Sequence, residues 1–252
     1  MKLTLKPLLL LCSLVSFPVF ASCYSVMVYH GANPPYSYEQ QGVYKGIFPD
    51  IFNEISKRTG LCFTYVSVSV ARGKKLFEQG LIDIEPGMPP SWRADSVSPG
   101  LYTIDFAFSR EIILSNQAKQ LDSVRQLYGR VVGRVRGYIY QGLEAHFNQS
   151  PNDDKIIVYD NTSERELLAQ LYHQRFEYIL IGNTTSNYYR LLNPEYKKFH
   201  EVYEVSNLPV GMRLQASFAK LKVQLDEVLT TMIADGSIER IYANYDLPPT
   251  EN

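Results

Sequence analysis

The side chains with the clearest chemical reach are arginines and acids set near predicted strand and helix ends. Arg134-Val135-Arg136-Gly137-Tyr138 closes a valine-rich alternating run and leads into a helix-like stretch. At such a junction, unpaired backbone N–H groups and a guanidinium together hold an anion. The alternative is that Arg134 and Arg136, two residues apart, share the polar face of a half-buried strand. Arg72 stands immediately before Gly73 at a helix start, where a cation is a poor partner for the helix dipole. Glu85 ends a short apolar run, and Tyr36 follows a Pro34-Pro35 turn that fixes its backbone. Enzymatic and cofactor signatures are missing. His30, His146, His173 and His200 have no metal-ligand spacing, no serine occupies a G-x-S-x-G turn, and Gly129, Gly133 and Gly137 are too widely spaced for a nucleotide loop. No metal or cofactor is expected.

Export is expected from the first residues. Lys2 and Lys6 precede an apolar stretch from Leu8 to Phe20, and Val19-Phe20-Ala21 is a cleavage pattern, so residues 1–21 read as a signal peptide. The run is too short, and too broken by Pro18, for a membrane anchor. Cleavage removes Cys12 and lowers 25 basic side chains to 23 against 26 acidic ones, a net charge of −3. Without a basic patch the chain is not expected to bind nucleic acid. The remaining Cys23 and Cys62 face an oxidising compartment and pair well if they start neighbouring parallel strands. Lipidation of Cys23 is the alternative.

The elements that must position these groups alternate. Tyr24 to Tyr29 reads as a strand, Phe48 to Thr59 as a helix stopped by Gly60, and Cys62 to Val68 as a second strand, which implies parallel pairing. A helical stretch near Gly73 to Gln79, a strand at Ile82 to Glu85 and a run from Ile104 to Leu114 follow. Gln117 to Gln126 is polar and helix-prone. Arg130 to Arg136 and Ile156 to Tyr159 read as strands, Gly137 to Phe147 and Ser163 to His173 as helices, and Tyr178 to Ile181 as a strand. These make a second α/β unit. The helix from Phe218 to Ala234 places Phe218, Leu221, Leu225, Val228, Leu229 and Met232 on one face and ends at Gly236. A short helix from Ile238 to Tyr242 follows, and Pro248-Pro249 ends regular structure.

Three stretches then converge on a family. They are Asn33-Pro34-Pro35-Tyr36 with Gly46-Ile47-Phe48-Pro49-Asp50-Ile51-Phe52-Asn53-Glu54-Ile55; Gly80-Leu81-Ile82-Asp83 with Gly87-Met88, Arg93 and Phe108-Ser109; and Asp235-Gly236-Ser237-Ile238 with Ile241 and Tyr245. In this order and spacing the chain resembles the family-3 periplasmic solute-binding proteins, the polar amino-acid receptors of ABC importers. The resemblance implies a two-lobed α/β periplasmic-binding-protein fold (type II). Each lobe would be a mainly parallel sheet flanked by helices, with the ligand cleft between the lobes. It assigns 22–113 plus 208–252 to one lobe and 114–207 to the other.

The same resemblance makes Arg93 the grip on a ligand carboxylate, a task suited to the bidentate guanidinium fork. It brings Asn33, Tyr36, Gly87, Met88 and the sole tryptophan, Trp92, to the cleft, with Arg72 reaching toward it and Gly137 and Tyr138 facing it from the second lobe. Two departures stand out. Pro90 replaces the hydroxyl residue three positions before Arg93, and Gly182-Asn183 replaces the aspartate that neutralises a ligand ammonium. Asn183 accepts a hydrogen bond but carries no charge, which leaves Glu85 as the suspected substitute. The expectation is a monomeric periplasmic receptor for a small carboxylate-bearing, amino-acid-like metabolite, working with an ABC permease or a membrane sensor. The rival is an enzyme on the same scaffold, resembling a cyclohexadienyl dehydratase, with Glu85 or Glu177 as general acid.

Overall fold

The computed structural model describes residues 23–29, 33–148, 150 and 154–245; the expected signal peptide, His30 and Pro248-Pro249 lie outside them. The chain opens with β1 (Tyr24–Tyr29), the hairpin β2 (Tyr38–Gln40) and β3 (Val43–Lys45), α1 (Ile47–Thr59), β4 (Phe63–Val68), α2 (Val70–Glu78), β5 (Ile84–Met88) and β6 (Leu101–Tyr102). It continues through β7 (Ala107–Ser115), β8 (Val131–Val135), β9 (Ile157–Asn161), α3 (Glu164–Tyr172), β10 (Tyr178–Gly182) and α4 (Asn183–Leu192). The last elements are β11 (His200–Leu214), α5 (Ala219–Ala234) and α6 (Ser237–Ala243).

The strands run in the order β4-β1-β5-β11-β7-β10-β8-β9, with β6 beside β11. β1 pairs in parallel with β4 and β5, and β8 in parallel with β10 and β9. Antiparallel β7 and β11 stand between these groups and pair with each other from His200↔Ser115 to Val210↔Ala107. Two lobes follow from the cores. In the first, Val26, Ile84 and Met212 pack against the apolar faces of α1 and α5, among them Ile51, Phe52, Leu225 and Leu229. In the second, the sheet is buried on both sides: Ile112, Leu114, Ile179 and Ile181 pack on one face, and Ile113 and Leu180 on the other. That two-sided burial is why β7 and β10 read as continuous apolar runs.

Local chemistry accounts for where the sequence-based expectations hold and where they fail. α1 ends at Gly60 in the left-handed conformation, as its pattern predicts. The helix expected over 117–126 is only a 3₁₀ turn at Val124–Leu127, capped by Ser123, because that polar run has no apolar stripe to bury. The helix expected over 137–147 is a set of turns with a 3₁₀ segment at Glu144–His146, broken by the positive φ of Gly137 and Gly142. β11 escapes the sequence pattern because Pro209 lies within it. Pro209 is tolerated since β11 there pairs only with β7, β5 joining it from Gly211 onward.

Cys23 and Cys62 precede the paired residues Tyr24 and Phe63 and are joined in a disulfide with a Cα–Cα distance of 4.5 Å, so Cys23 has no thiol left for a lipid. The bridge closes a 39-residue separation. A loop of that size corresponds to about 4 kcal/mol of chain entropy removed from the unfolded state. Cys62→Ser is therefore expected to lower the unfolding free energy by about 2–4 kcal/mol in urea titrations. Dithiothreitol should produce the same loss in the parent protein and no further loss in the variant.

Candidate functional site

A cavity lies between the two lobes, lined from one side by Tyr29, Asn33, Tyr36, Gly87, Met88, Trp92 and Arg93, and from the other by Ser109, Glu111, Gly137, Tyr138, Glu164, Gly182 and Thr185. Tyr36 is placed by the turn before α1. The Ile47 and Phe48 amides, which a helix start leaves unpaired, donate to the carbonyls of Pro35 and Tyr36 at 2.9 Å. Gly46 is required there, because at φ 122° a Cβ would lie 2.6 Å from the Pro35 oxygen. The Tyr36 ring stacks on Phe48 at 5.1 Å, and Gly87 leaves room for Phe48, which a Cβ would meet at 2.4 Å.

Arg93 ends the short 3₁₀ turn Pro90–Arg93 and is buried at the cavity wall. Its Nη2 donates to Glu85 at 3.0 Å, its Nε to the same carboxylate at 3.3 Å, and its Nη1 to the Trp92 carbonyl at 3.1 Å. A guanidinium has five N–H groups; the Tyr29 side chain also hydrogen-bonds Arg93, so the Nη1–Nη2 end, which faces the cavity, is partly engaged by Tyr29. Glu85 also receives Nη1 of Arg213, a wholly buried side chain that further donates to Ser96, Ser98 and Pro99 and lies 4.0 Å over the Phe77 ring. One carboxylate between two guanidiniums leaves this wall with net positive charge. The Trp92 indole N–H, buried and unpartnered, adds a donor beside Arg93.

The opposite wall is acidic. Glu164 is the first residue of α3, placed by Ser163, whose hydroxyl accepts the Glu166 amide at 3.3 Å. Gly182 N–H donates to Glu164 Oε1 at 3.0 Å. Glu111 enters from β7 with Ser109 3.5 Å from its Oε1. Burial raises Glu111 to about 7. Burial, reinforced by Glu111 nearby, raises Glu164 to about 8. Both carboxylates crowd the space beside Gly182: a Cβ there would lie 3.6 Å from Oε1 of each. Contacts between the lobes span the cavity. Tyr36 hydrogen-bonds the Thr184 side chain, and the Tyr29 and Tyr138 rings come within 6.1 Å.

The expected residues thus divide. Asn33, Tyr36, Gly87, Met88, Trp92, Arg93, Gly137 and Tyr138 line the cavity. Arg72 is solvent-exposed on α2, and Asn183 begins α4 outside the lining. Glu85, the acid suspected of meeting the ligand, instead stands behind the wall, where two arginines occupy it. Glu177 is exposed and paired with Arg130. No helix follows Gly137, so that turn offers no helix N-terminus, and Arg134 is engaged by Asp160 at 2.8 Å. Tyr29, Glu111 and Glu164 escaped the sequence reading. Glu111 had a usable signal, a charge directly abutting the apolar run Ile112 to Leu114 of a buried strand; Glu164 looks like any first-turn helix acid.

Two outcomes follow. Glu85→Ala leaves two buried arginines without their counter-charge and should lower the unfolding free energy by about 3–5 kcal/mol in urea. The raised carboxyls act in the opposite sense to ordinary surface acids. Their contribution to stability is full below the usual glutamate value of 4.5 and is lost as pH rises through about 7 and 8. The melting temperature of the ligand-free protein should fall between about pH 5 and 8 and level off above, and the Glu111→Gln, Glu164→Gln double variant should show a flatter profile in differential scanning fluorimetry.

Residues 26–247 match the family model of bacterial extracellular solute-binding proteins, family 3. No curated protein sequence matches significantly. Among solved structures, an ancestral arginine-binding protein bound to arginine is 18% identical with a TM-score of 0.72, covering 88% of this chain and 97% of its own. The GluR0 ligand-binding core in complex with L-glutamate is 19% identical with a TM-score of 0.74, covering 90% and 99%. A histidine kinase sensor domain similar to periplasmic binding proteins is 17% identical with a TM-score of 0.74, covering 91% and 98%. The two-lobed α/β architecture is common to all three, and the match over nearly the whole described chain makes this protein a member of the family-3 bacterial extracellular solute-binding proteins.

Proposed function

We propose that the protein captures a small carboxylate-bearing metabolite by lobe closure, with the carboxylate held by the cavity-lining Arg93 guanidinium and the indole N–H of Trp92. The observation that carries this reading is the buried Arg93, held on one edge by Glu85 and lining the cavity beside Tyr29, a neutral hydrogen-bond partner that leaves its charge uncompensated there. A fixed guanidinium loses little freedom when it binds, and lobe closure that excludes water strengthens each polar contact. The proposed boundary at 207/208 is supported by the division of the cores along β11, between Val202 and Val210, whereas Ile112 and Ile113 pack in the second lobe and move the one expected at 113/114 earlier. On β7 the division falls between Ala107 and Ile112. Cleavage after Ala21 would release the chain into the periplasm as a monomer, serving an ABC permease or a membrane sensor. Among the described residues no helix is long and apolar enough to cross a membrane.

A second reading has one observation in its favour. Glu164, raised to about 8 inside a buried cavity, has the character of a general acid, as a dehydratase on this scaffold would need. Binding is the better-supported role because the family comprises binding proteins.

Screening amino acids and organic acids by thermal shift should find a compound that stabilises the protein by about 2.7 kcal/mol at one hundred times its Kd. Arg93→Lys should weaken that compound at least about tenfold, since an ammonium cannot reproduce the fork. An unchanged affinity would reject Arg93 as the carboxylate grip. Steady turnover of arogenate or prephenate, abolished in Glu164→Gln, would replace the binding role with the enzymatic one.

A further inference from the structure

The lobes also touch outside the cavity, through the hairpin β2–β3. Its strands pair only with each other, from Tyr38↔Lys45 to Gln40↔Val43, around a turn in which Gln41 and Gly42 have φ of 54° and 77°. A two-residue hairpin turn of this kind needs both values positive, and Gln41 adopts one without being glycine. A two-stranded hairpin is marginal by itself, so its place is fixed by what its side chains reach.

The pleat sends its two tyrosines to opposite faces, since Tyr38 is opposite Lys45 and Tyr44 is opposite Glu39. Tyr44 turns to its own lobe, where its ring lies 5.4 Å from Tyr65, itself 6.5 Å from the buried Phe52. Tyr38 faces the other lobe and hydrogen-bonds the side chain of Tyr188 on α4. Tyr188 is backed by Tyr189, a member of the second core whose ring meets it edge to face at 5.6 Å. Tyr38 and Tyr188 are both half-buried and stand outside the residues that line the cavity.

This contact is in step with the one between Tyr36 and Thr184. Two residues of extended chain advance about 6.7 Å and four residues of helix about 6 Å, so both contacts form in one register as the hairpin's first strand lies along α4. The start of α2 adds a third point, where a Cβ on Gly137 would lie 3.6 Å from the Val70 side chain.

We propose that the β2–β3 hairpin is a strap that holds the lobes together when the cavity is empty, latched by Tyr38 on Tyr188. The strap concerns the resting form of the molecule and does not depend on which compound the cavity takes. A ligand then enters only when the latch releases, so two residues that do not line the cavity set how fast it exchanges its contents. One hydrogen bond of this kind corresponds to about a fivefold change in the ratio of latched to released forms.

Small-angle X-ray scattering and hydrogen exchange test the strap on protein refolded from guanidinium to strip any co-purified compound. The parent is expected to scatter as the compact form in which Tyr38 reaches Tyr188, and to protect amides across 38–45. Tyr38→Phe and Tyr188→Phe, each losing only a hydroxyl, should raise the radius of gyration and speed exchange across 38–45 about fivefold, with β10 amides unchanged as evidence of an intact fold. The double variant should do no more than either single one, because the two hydroxyls make one contact. The response of the hairpin to Tyr188→Phe is decisive, since that residue belongs to the other lobe. A parent that scatters as separated lobes would overturn the strap, and so would parent-rate exchange across 38–45 in both folded single variants.

Discussion

The buried arrangement Arg93–Glu85–Arg213 is the constraint on which the rest of the site depends. Glu85 lies on β5, Arg213 on the antiparallel strand β11, and Arg93 on the turn that follows β5. A single carboxylate placed between two guanidiniums fixes that turn to the sheet and turns one edge of Arg93 toward the cavity. Burying three charges is unfavourable in itself. Here the arrangement is tolerated because almost every Arg213 donor has a partner, including backbone carbonyls at Ser98 and Pro99. The surplus positive charge is left on the cavity-facing member.

The two lobes contribute opposite halves of one electrostatic pattern. The first presents donors on a turn braced by its own core; the second presents acceptors at the end of β10 and the start of α3, where Gly182 N–H and the Ser163 cap hold Glu164 in place. Burial dominates over the helix dipole at that position, since the carboxyl is raised rather than lowered. The two halves meet only when Tyr36 reaches Thr184 and Tyr29 faces Tyr138.

Much of the fold was legible because its signals are local. The β-branched run ending at Val68, the spacing of Ile51, Phe52 and Ile55 with the Gly60 stop, and the apolar face of α5 each specify an element without outside help. β11 was not legible, since its length depends on pairing with strands far away in sequence and Pro209 argues against it locally. The site divides in the same way. Arg93, Tyr36 and Gly87 could be placed through family spacing. Glu85 was misplaced because nothing local records that Arg213, 128 residues away, claims its second oxygen. Glu111 and Glu164 come together only through the pairing of β7 with β10 and the return of α3 to the strand end at Gly182.

The long pairing of β7 with β11 has a mechanical consequence. These two strands begin in one core and end in the other, so they form a torsion ribbon whose ladder bonds need not break for the lobes to rotate. Arg110 clamps it near its middle through Glu201 and Glu204, and register shifts lie at Glu201/Tyr203 and Glu204/Ser206. Bulges concentrate twist. A twist between the lobes would thus fall on a few residues of a ribbon that stays hydrogen-bonded.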